Sequence, residues 1–267
     1  MNNLNKHEIT YVINTYNRKK KLINAIDSVI KQKEVNIHIL VIDDCSTDFD
    51  IKDLQNIYCK VEFHRNETNI GLAKSRQKGL DLCRTELIAF LDDDDELIDN
   101  LKTRRHIDTL RADKNIALVC SNIIEYNGEG YNNSNIKWPV DLHRHLMRRN
   151  GIIYPSTTTC RKCYFIEVGG FDFRFKRGID SDVYRRIIRK GYSIIYDPTP
   201  TINYLVDAKD KITDDLTVNG LYKNIASNSL TIKKYSKYYL CNFSALYTRV
   251  KSITLSFYLI VKIKVGN

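Results

Sequence analysis

An α/β fold built on a mostly parallel sheet, with helices on both faces, is what this sequence predicts, and three observations carry it. Short runs of consecutive apolar residues alternate with amphipathic segments along the first half of the chain. The apolar runs are continuous, the mark of strands buried on both faces, and such strands lie parallel under covering helices. Polar and acidic clusters follow the runs directly, and open α/β sheets bind their ligands just beyond the carboxyl ends of their strands.

Taken in order, Ile9-Thr10-Tyr11-Val12-Ile13 is the first strand. Leu22, Ile23, Ile26, Val29 and Ile30 then recur at helical spacing. Ile37 to Ile42 is a second strand, Val61 to His64 a short third, Leu72 to Cys83 a helix and Glu86 to Leu91 a fourth strand. The second half is less regular. Ala117 to Tyr126 reads as a strand, Gly128 to Asn135 as a turn-rich insert and Asp180 to Arg189 as a helix. Tyr192 to Tyr196 reads as a last strand, with Pro198 and Pro200 marking its exit.

With 267 residues, 43% of them hydrophobic, the chain can bury one large domain, alone or with an appendage. The formal net charge is +10, and its location matters more than its size. From residue 216 to the end stand Lys223, Lys233, Lys234, Lys237, Arg249, Lys251, Lys262 and Lys264, with no Asp or Glu, so the body is close to neutral. The expected division is a domain over residues 1–215, in two halves (1–100 and 101–215), and a basic helical tail over 216–267. Basicity confined to a tail, without a recognised binding motif, excludes nucleic acid as partner. The most apolar stretch, Phe257 to Val261, is far shorter than the ~20 residues of a membrane span. Seven cysteines, an odd count, behind the polar opening Met1-Asn2-Asn3 suggest reduced thiols and a cytoplasmic location. Cys160 and Cys163 lack the second pair or the spaced histidines of a zinc site.

Asp92-Asp93-Asp94-Asp95 directly follows the fourth strand. Adjacent carboxylates repel one another unless a cation or hydrogen-bond donors offset them. One or two of them, with substrate phosphates, suffice to hold Mg²⁺ or Mn²⁺. The alternative is helix capping, with Asp95 closing a helix that starts near Glu96-Leu97. Asp43-Asp44 sits at another strand end. It can accept a base N–H or a ribose hydroxyl, or belong to a polar turn in which Ser46 or Asp48 caps the next helix.

These segments together resemble the inverting glycosyltransferase family 2. Thr15-Tyr16-Asn17-Arg18 is similar to the family's "TYNR", and Val41 to Asp48 to its "VVDDGSTD". Asn69 to Gly79 resembles "NxGxxxARNxG", and Phe90 to Asp95 resembles "FLDxDD". Gly169 to Asp172, followed by Gly178-Ile179-Asp180-Ser181-Asp182, resembles "GGFDE…GEDxDL". The five motifs run in family order over about residues 8–195. The resemblance implies the GT-A nucleotide-diphospho-sugar transferase fold. It implies a donor site of Thr15, Tyr16, Asn17, Arg18, Asp43, Asp44, Arg76 and Asp93, with a base that is usually uracil. It further implies Mn²⁺ or Mg²⁺ held by Asp92, Asp94 and Asp95, and Asp180 as catalytic base. Asp182, in the same motif as the base, is a candidate acceptor contact. Three departures stand out: Asn14 where proline is usual, Cys45 for glycine, and Ile179 for the glutamate before the base.

The chemistry suits these residue types. A metal supplies positive charge where the departing diphosphate gains negative charge. A carboxylate on another segment can take the acceptor's proton, and in-line attack inverts the anomeric centre. Asp180 can equally cap the helix that follows it, and Arg76 can equally be a solvated helix charge. Trp138, the sole tryptophan, can stack on an acceptor or pack. His143, Arg144, His145, Arg148 and Arg149 form a basic run, either a solvated face or a phosphate site. In the tail, Tyr239, Phe243, Leu246, Val250, Ile253 and Phe257 step by three or four residues. That is the pattern of an in-plane membrane helix, or of a helix packed on the catalytic domain.

The function expected is transfer of a sugar from a nucleotide-diphospho-sugar to a hydroxyl of a glycan or lipid-linked acceptor in surface-polysaccharide or lipooligosaccharide assembly, peripheral to the membrane through the tail. The competing readings are a nucleotide-sugar nucleotidyltransferase and a catalytically inactive nucleotide-sugar-binding scaffold. Against the first stands Asn14 to Asn17, a first loop without glycine.

Overall fold

The computed structural model describes residues 7–126, 131–133, 136–148, 151–205 and 217–265. The first half alternates as the apolar runs predict: β1 (Glu8–Thr15), α1 (Lys19–Ile30), β2 (Asn36–Asp43), α2 (Ile51–Ile57), β3 (Val61–Arg65), α3 (Leu72–Leu82) and β4 (Leu87–Asp92). β5 (Glu96–Leu97), α4 (Lys102–Ala112), β6 (Ile116–Tyr126), β7 (Tyr131–Asn133), α5 (Leu142–Arg148), β8 (Thr159–Arg161), α6 (Lys162–Glu167), α7 (Ile179–Arg189) and β9 (Ser193–Leu205) follow. The tail is helical throughout its described part: α8 (Val218–Lys234), α9 (Ser236–Leu240) and α10 (Phe243–Val265).

The sheet runs β3-β2-β1-β4-β8-β6-β9-β5, with β7 paired to β6. β3, β2, β1 and β4 are mutually parallel, as are β6 and β9. β8 lies antiparallel between β4 and β6, and β5 antiparallel on β9. The pleat of β1 sends Tyr11 and Ile13 to one face, with Leu22 and Ile26 of α1 and Ile107 and Leu110 of α4. Val12 goes to the other face, with Ala73 and Leu80 of α3, Phe165 of α6 and Val183 and Ile187 of α7. Each such side chain fully buried contributes roughly 1.5–3 kcal/mol. Gly79 lets α3 approach β1, since a Cβ there would stand 2.3 Å from Val12 Cγ1.

The structure differs from the sequence reading at four elements. Glu96-Leu97 is a strand and the next helix starts at Lys102, so Asp95 caps no helix. β9 does not end at Pro198. It continues to Leu205 across a bulge, in which Asp197 pairs with Ser121 and Pro200 with Asn122. The bulge leaves Pro198 and Thr199 outside the ladder, so the missing proline N–H costs no pairing. α7 begins at Ile179 behind a left-handed Gly178 (φ 64°), so Asp180 lies in its first turn and is not its cap. The insert at Gly128 to Asn135 lies mostly outside the described residues, but Tyr131–Asn133 return as β7.

The tail packs on the body through polar groups. Lys234 reaches Asp172 at 2.8 Å and Asp182 at 2.9 Å, and the Tyr235 hydroxyl donates to Asp182 at 2.7 Å. Tyr239, read from sequence as part of one stripe with α10, lies in α9, buried, and donates to the Met147 carbonyl at 2.6 Å. Arg249 is buried and donates to the carbonyls of Met147 (3.0 Å) and Leu146 (2.9 Å) and to Asn228 (2.9 Å).

Candidate active site

Three strand ends meet in one row, because Thr15 of β1 pairs with Asp43 of β2 while Asn14 pairs with Asp92 of β4. The loops leaving these ends carry the residues singled out from the sequence. Asn17 takes a left-handed turn (φ 53°). Its N–H donates to Ser46 Oγ at 2.8 Å and its Oδ1 accepts the Thr47 N–H at 2.7 Å, which ties the first loop to the second. Tyr16 is exposed beside it. Ser46 and Asp48 thus serve the first loop and do not cap α2: Asp48 accepts the Lys19 N–H at 3.0 Å, and the α2 cap is Asp50.

Asp43 and Asp44 are both buried. Asp43 accepts the Ser46 N–H at 3.0 Å and Arg65 at 2.9 Å, two of the roughly four bonds a carboxylate can accept. Asp44 accepts Asn66 and the Ile70 N–H at 2.9 Å each and the Gly71 N–H at 2.8 Å, which fixes the entry to α3. Nδ2 of Asn14, at the position where the family pattern has proline, is buried with no hydrogen-bond partner among the described residues.

The four aspartates after β4 point to different partners. Asp93 accepts Thr15 Oγ1 at 2.7 Å and Arg18 at 3.0 Å, and Arg18 also reaches Asp94 at 3.1 Å. Burial pushes Asp93 up to about 6 against the pull of Arg18 and Thr15. Asp95 is buried and accepts Ser156 Oγ at 2.5 Å, and the same hydroxyl accepts the Asp92 N–H at 3.0 Å. Among the described residues no group of three metal-ligating side chains converges. Of Asp92, Asp94 and Asp95, the ligand set that the resemblance implied, Asp95 is the one held by Ser156. Asp92 and Asp94 keep the more exposed carboxylates, with side-chain accessibilities of 35% and 17%.

Arg76 joins the strand ends to α7. Its buried guanidinium donates to Asp92 and to Asp180. Burial works against the charged form of Arg76, yet Asp180 and Asp92 hold its pKa above the ordinary value. Burial raises the Asp180 pKa, opposed by Arg76 and reinforced by Asp92.

Asp182, the candidate acceptor contact, is instead a structural anchor. It has no exposed surface and binds Arg186, Lys234 and Tyr235. Trp138 stacks on Tyr196 with ring centroids 4.8 Å apart and stays half exposed. Arg149 lies outside the described residues. Two contributors escaped the sequence reading. Ser156 stands in a short 3-10 turn, Pro155–Thr157, with no preceding motif. Arg65 closes β3, and its register opposite Asp43 was the one available signal.

The family model described as Glycosyl transferase family 2 matches residues 10–169. The amylovoran biosynthesis glycosyltransferase AmsB of Erwinia amylovora is 27% identical over 207 residues, 72% of this chain and 68% of its own length. The chain spans less than half the length of several other curated relatives it matches. Among solved structures, S. aureus TarS 1–349 in complex with UDP superposes with a TM-score of 0.60 at 16% identity, over 97% of this chain and 92% of that one. The mannosyltransferase PcManGT from Pyrobaculum calidifontis, in complex with GDP-Man and Mn²⁺, superposes with a TM-score of 0.64 at 15% identity, over 97% of this chain and 79% of that one. The strand-end carboxylates, the Arg76 bridge and the family match over most of the sheet agree: the chain belongs to glycosyl transferase family 2.

Proposed function

We propose that the chain transfers a sugar from a nucleotide-diphospho-sugar to an acceptor hydroxyl with inversion, using a divalent metal and Asp180 as base. The observation that carries this reading is the Arg76 bridge, which holds a carboxylate of α7 and a carboxylate of the β4 end on one guanidinium. The donor side is Thr15, Tyr16, Asn17, Arg18 and Asp43, at the row of strand ends where Asn14 pairs with Asp92. Asp44 and Asp93 act from inside, by fixing the loops that touch the donor.

The residues present fit Mn²⁺ or Mg²⁺. Arg18 pairs with Asp93 and Asp94, and Arg76 with Asp92 and Asp180; carboxylates clustered this closely repel one another, and a divalent ion relieves that repulsion. Asp94, with Asp92 beside it, would hold the ion, and the donor diphosphate would supply the remaining oxygens. When bound, the ion stabilises negative charge on the leaving diphosphate. Asp180 takes the acceptor proton, and its raised pKa makes it the stronger base. Arg76 keeps that carboxylate oriented and ionised.

AmsB acts in amylovoran biosynthesis by its name, which supports a growing surface glycan or its lipid-linked precursor as acceptor. The basic tail supports docking on the inner face of a membrane that presents such an acceptor. The test is a panel of nucleotide sugars with a lipid-linked or glycan acceptor. Transfer with Mn²⁺ that EDTA abolishes and metal restores is the expected outcome; full activity in EDTA removes the metal from the reading.

A further inference from the structure

α10 is built inside out for a helix at a water-facing surface. The side it turns to the protein carries Ala245, Arg249, Ser252, Ser256 and Ile260, and it meets α8 through polar contacts: Asn224 donates to Ser256 at 2.8 Å and to Ser252 at 3.3 Å. The opposite side carries Phe243, Tyr247, Val250, Phe257, Tyr258 and Val261, all between 44% and 75% exposed. These fall on one face of an α-helix at 3.6 residues per turn. A surface helix ordinarily shows the reverse arrangement, and a contiguous exposed apolar stripe marks a contact surface.

Beside this stripe lies a basic cleft. α5 and α10 enclose about 490 Å³ lined by Pro139, Asp141, Arg144, His145, Arg148 and Thr248. Thr248 follows Tyr247 of the stripe, so the cleft opens along its edge, and exposed Lys251 is one turn farther on. Neither the Arg144 nor the Arg148 side chain has an ion-pair partner among the described residues. The one carboxylate in the cleft, Asp141, is engaged by the α5 N-terminus, where it accepts the Arg144 N–H at 2.8 Å. Lys262 and Lys264 extend the positive border, and residues 216–267 contain no acid.

We propose that α10 lies in the interface of an anionic membrane with its aromatic stripe in the acyl boundary, and that the α5–α10 cleft takes the phosphate of a lipid headgroup. The inference rests on the membrane docking read from the tail and specifies both its surface and its ligand. An interfacial helix needs an apolar aromatic face and a basic flank, and paired guanidinium groups suit phosphate oxygens. Charge selects the occupant: Arg144, Arg148, Lys251, Lys262 and Lys264 stand against the hydrogen-bonded Asp141 alone, a balance that fits a surface of phosphate headgroups.

The test is co-sedimentation of the full chain with phosphatidylglycerol or phosphatidylcholine vesicles at low salt. The wild type should pellet with the former and stay in solution with the latter. Arg144→Gln/Arg148→Gln should weaken phosphatidylglycerol binding about thirty-fold, from two basic groups near an anionic surface. Tyr247→Ser/Phe257→Ser/Tyr258→Ser should abolish it; all three side chains are exposed, and unchanged circular dichroism should accompany the loss. Glycerol phosphate in solution should not displace the protein, since without the stripe contact the phosphate alone binds weakly. Wild type left in the supernatant with phosphatidylglycerol overturns the docking reading itself. Equal pelleting of the arginine variant overturns the cleft and leaves docking intact. A wild-type dimer that the stripe variant dissociates, without vesicle binding, assigns the face to a second copy and overturns the proposal.

Discussion

Cys45 stands in a left-handed backbone (φ 69°) at the position where the family motif has glycine. The sequence flagged the departure but not its resolution: the chain keeps the glycine conformation and accepts the strain, of order 1 kcal/mol for a side chain there. Cys45→Gly should therefore be neutral to stabilising by up to about 1 kcal/mol, and Cys45→Val destabilising by at least that much, read from urea midpoints. Asp180, the base in the proposed function, was singled out by its motif, and the structure places the Arg76 guanidinium on its carboxylate. Asp180→Asn keeps the size and the Arg76 contact but cannot accept a proton. It should lower kcat by ~10²–10⁴-fold with donor affinity nearly intact, and the acid limb of the pH–kcat profile should vanish with it. Lost donor affinity with retained turnover would assign Asp180 to binding. Asp182 was misread because spacing alone cannot say which carboxylates of a helical turn face the cleft. α7 turns this one toward Lys234 and Tyr235.

At the scale of elements, the strands that carry continuous apolar runs were legible, and so were the loops after them, because burial on both faces leaves a pattern in composition. β8 was not: three residues, Thr159–Arg161, are too short for any periodicity. The turn before it supports the acidic loop through Ser156 and is itself held from below. Lys102 of α4 donates to the Thr158 carbonyl at 3.1 Å, and Ser121 Oγ reaches the Thr157 carbonyl at 3.3 Å and His106 at 3.0 Å. A fully buried lysine in this place could not be foreseen from a helix that reads as amphipathic. Burial pushes Lys102 down to about 7 and His106 to about 4. Between a folded pKa near 7 and the ordinary lysine value, the unfolded chain binds more protons, so stability rises with pH across that window. Wild type should gain on Lys102→Met as pH goes from 6.5 to 8.5, in paired urea titrations. A constant difference would mean that Lys102 stays charged in the fold.

Across the whole molecule the tail both packs on the body and presents an exposed apolar face. The sequence could not show both, because the packed side of α10 mixes Ala245 and Ile260 with Arg249, Ser252 and Ser256 and so leaves no clear hydrophobic stripe. α8 also reaches the loop before Asp180: Ser227 Oγ accepts the Lys176 N–H at 3.2 Å and the Arg177 N–H at 3.0 Å. Removing residues 216–267 would strip Asp182 of Lys234 and Tyr235 and strip the Leu146 and Met147 carbonyls of Arg249 and Tyr239. Leaving a buried carboxylate short of its partners costs about 3–5 kcal/mol. In a chain of this size each kcal/mol lowers Tm by roughly 2–4 °C. The truncated chain should therefore melt about 10 °C lower and lose turnover even with a soluble acceptor, since the loop leading into Asp180, the proposed base, is released. Arg249→Met should reproduce part of the Tm loss, whereas Tyr247→Ser on the outward face should leave Tm within about 1 °C. Equal melting of full-length and truncated chains would show that α8–α10 do not pack in solution as they do here, and that the tail acts only at a surface outside the body.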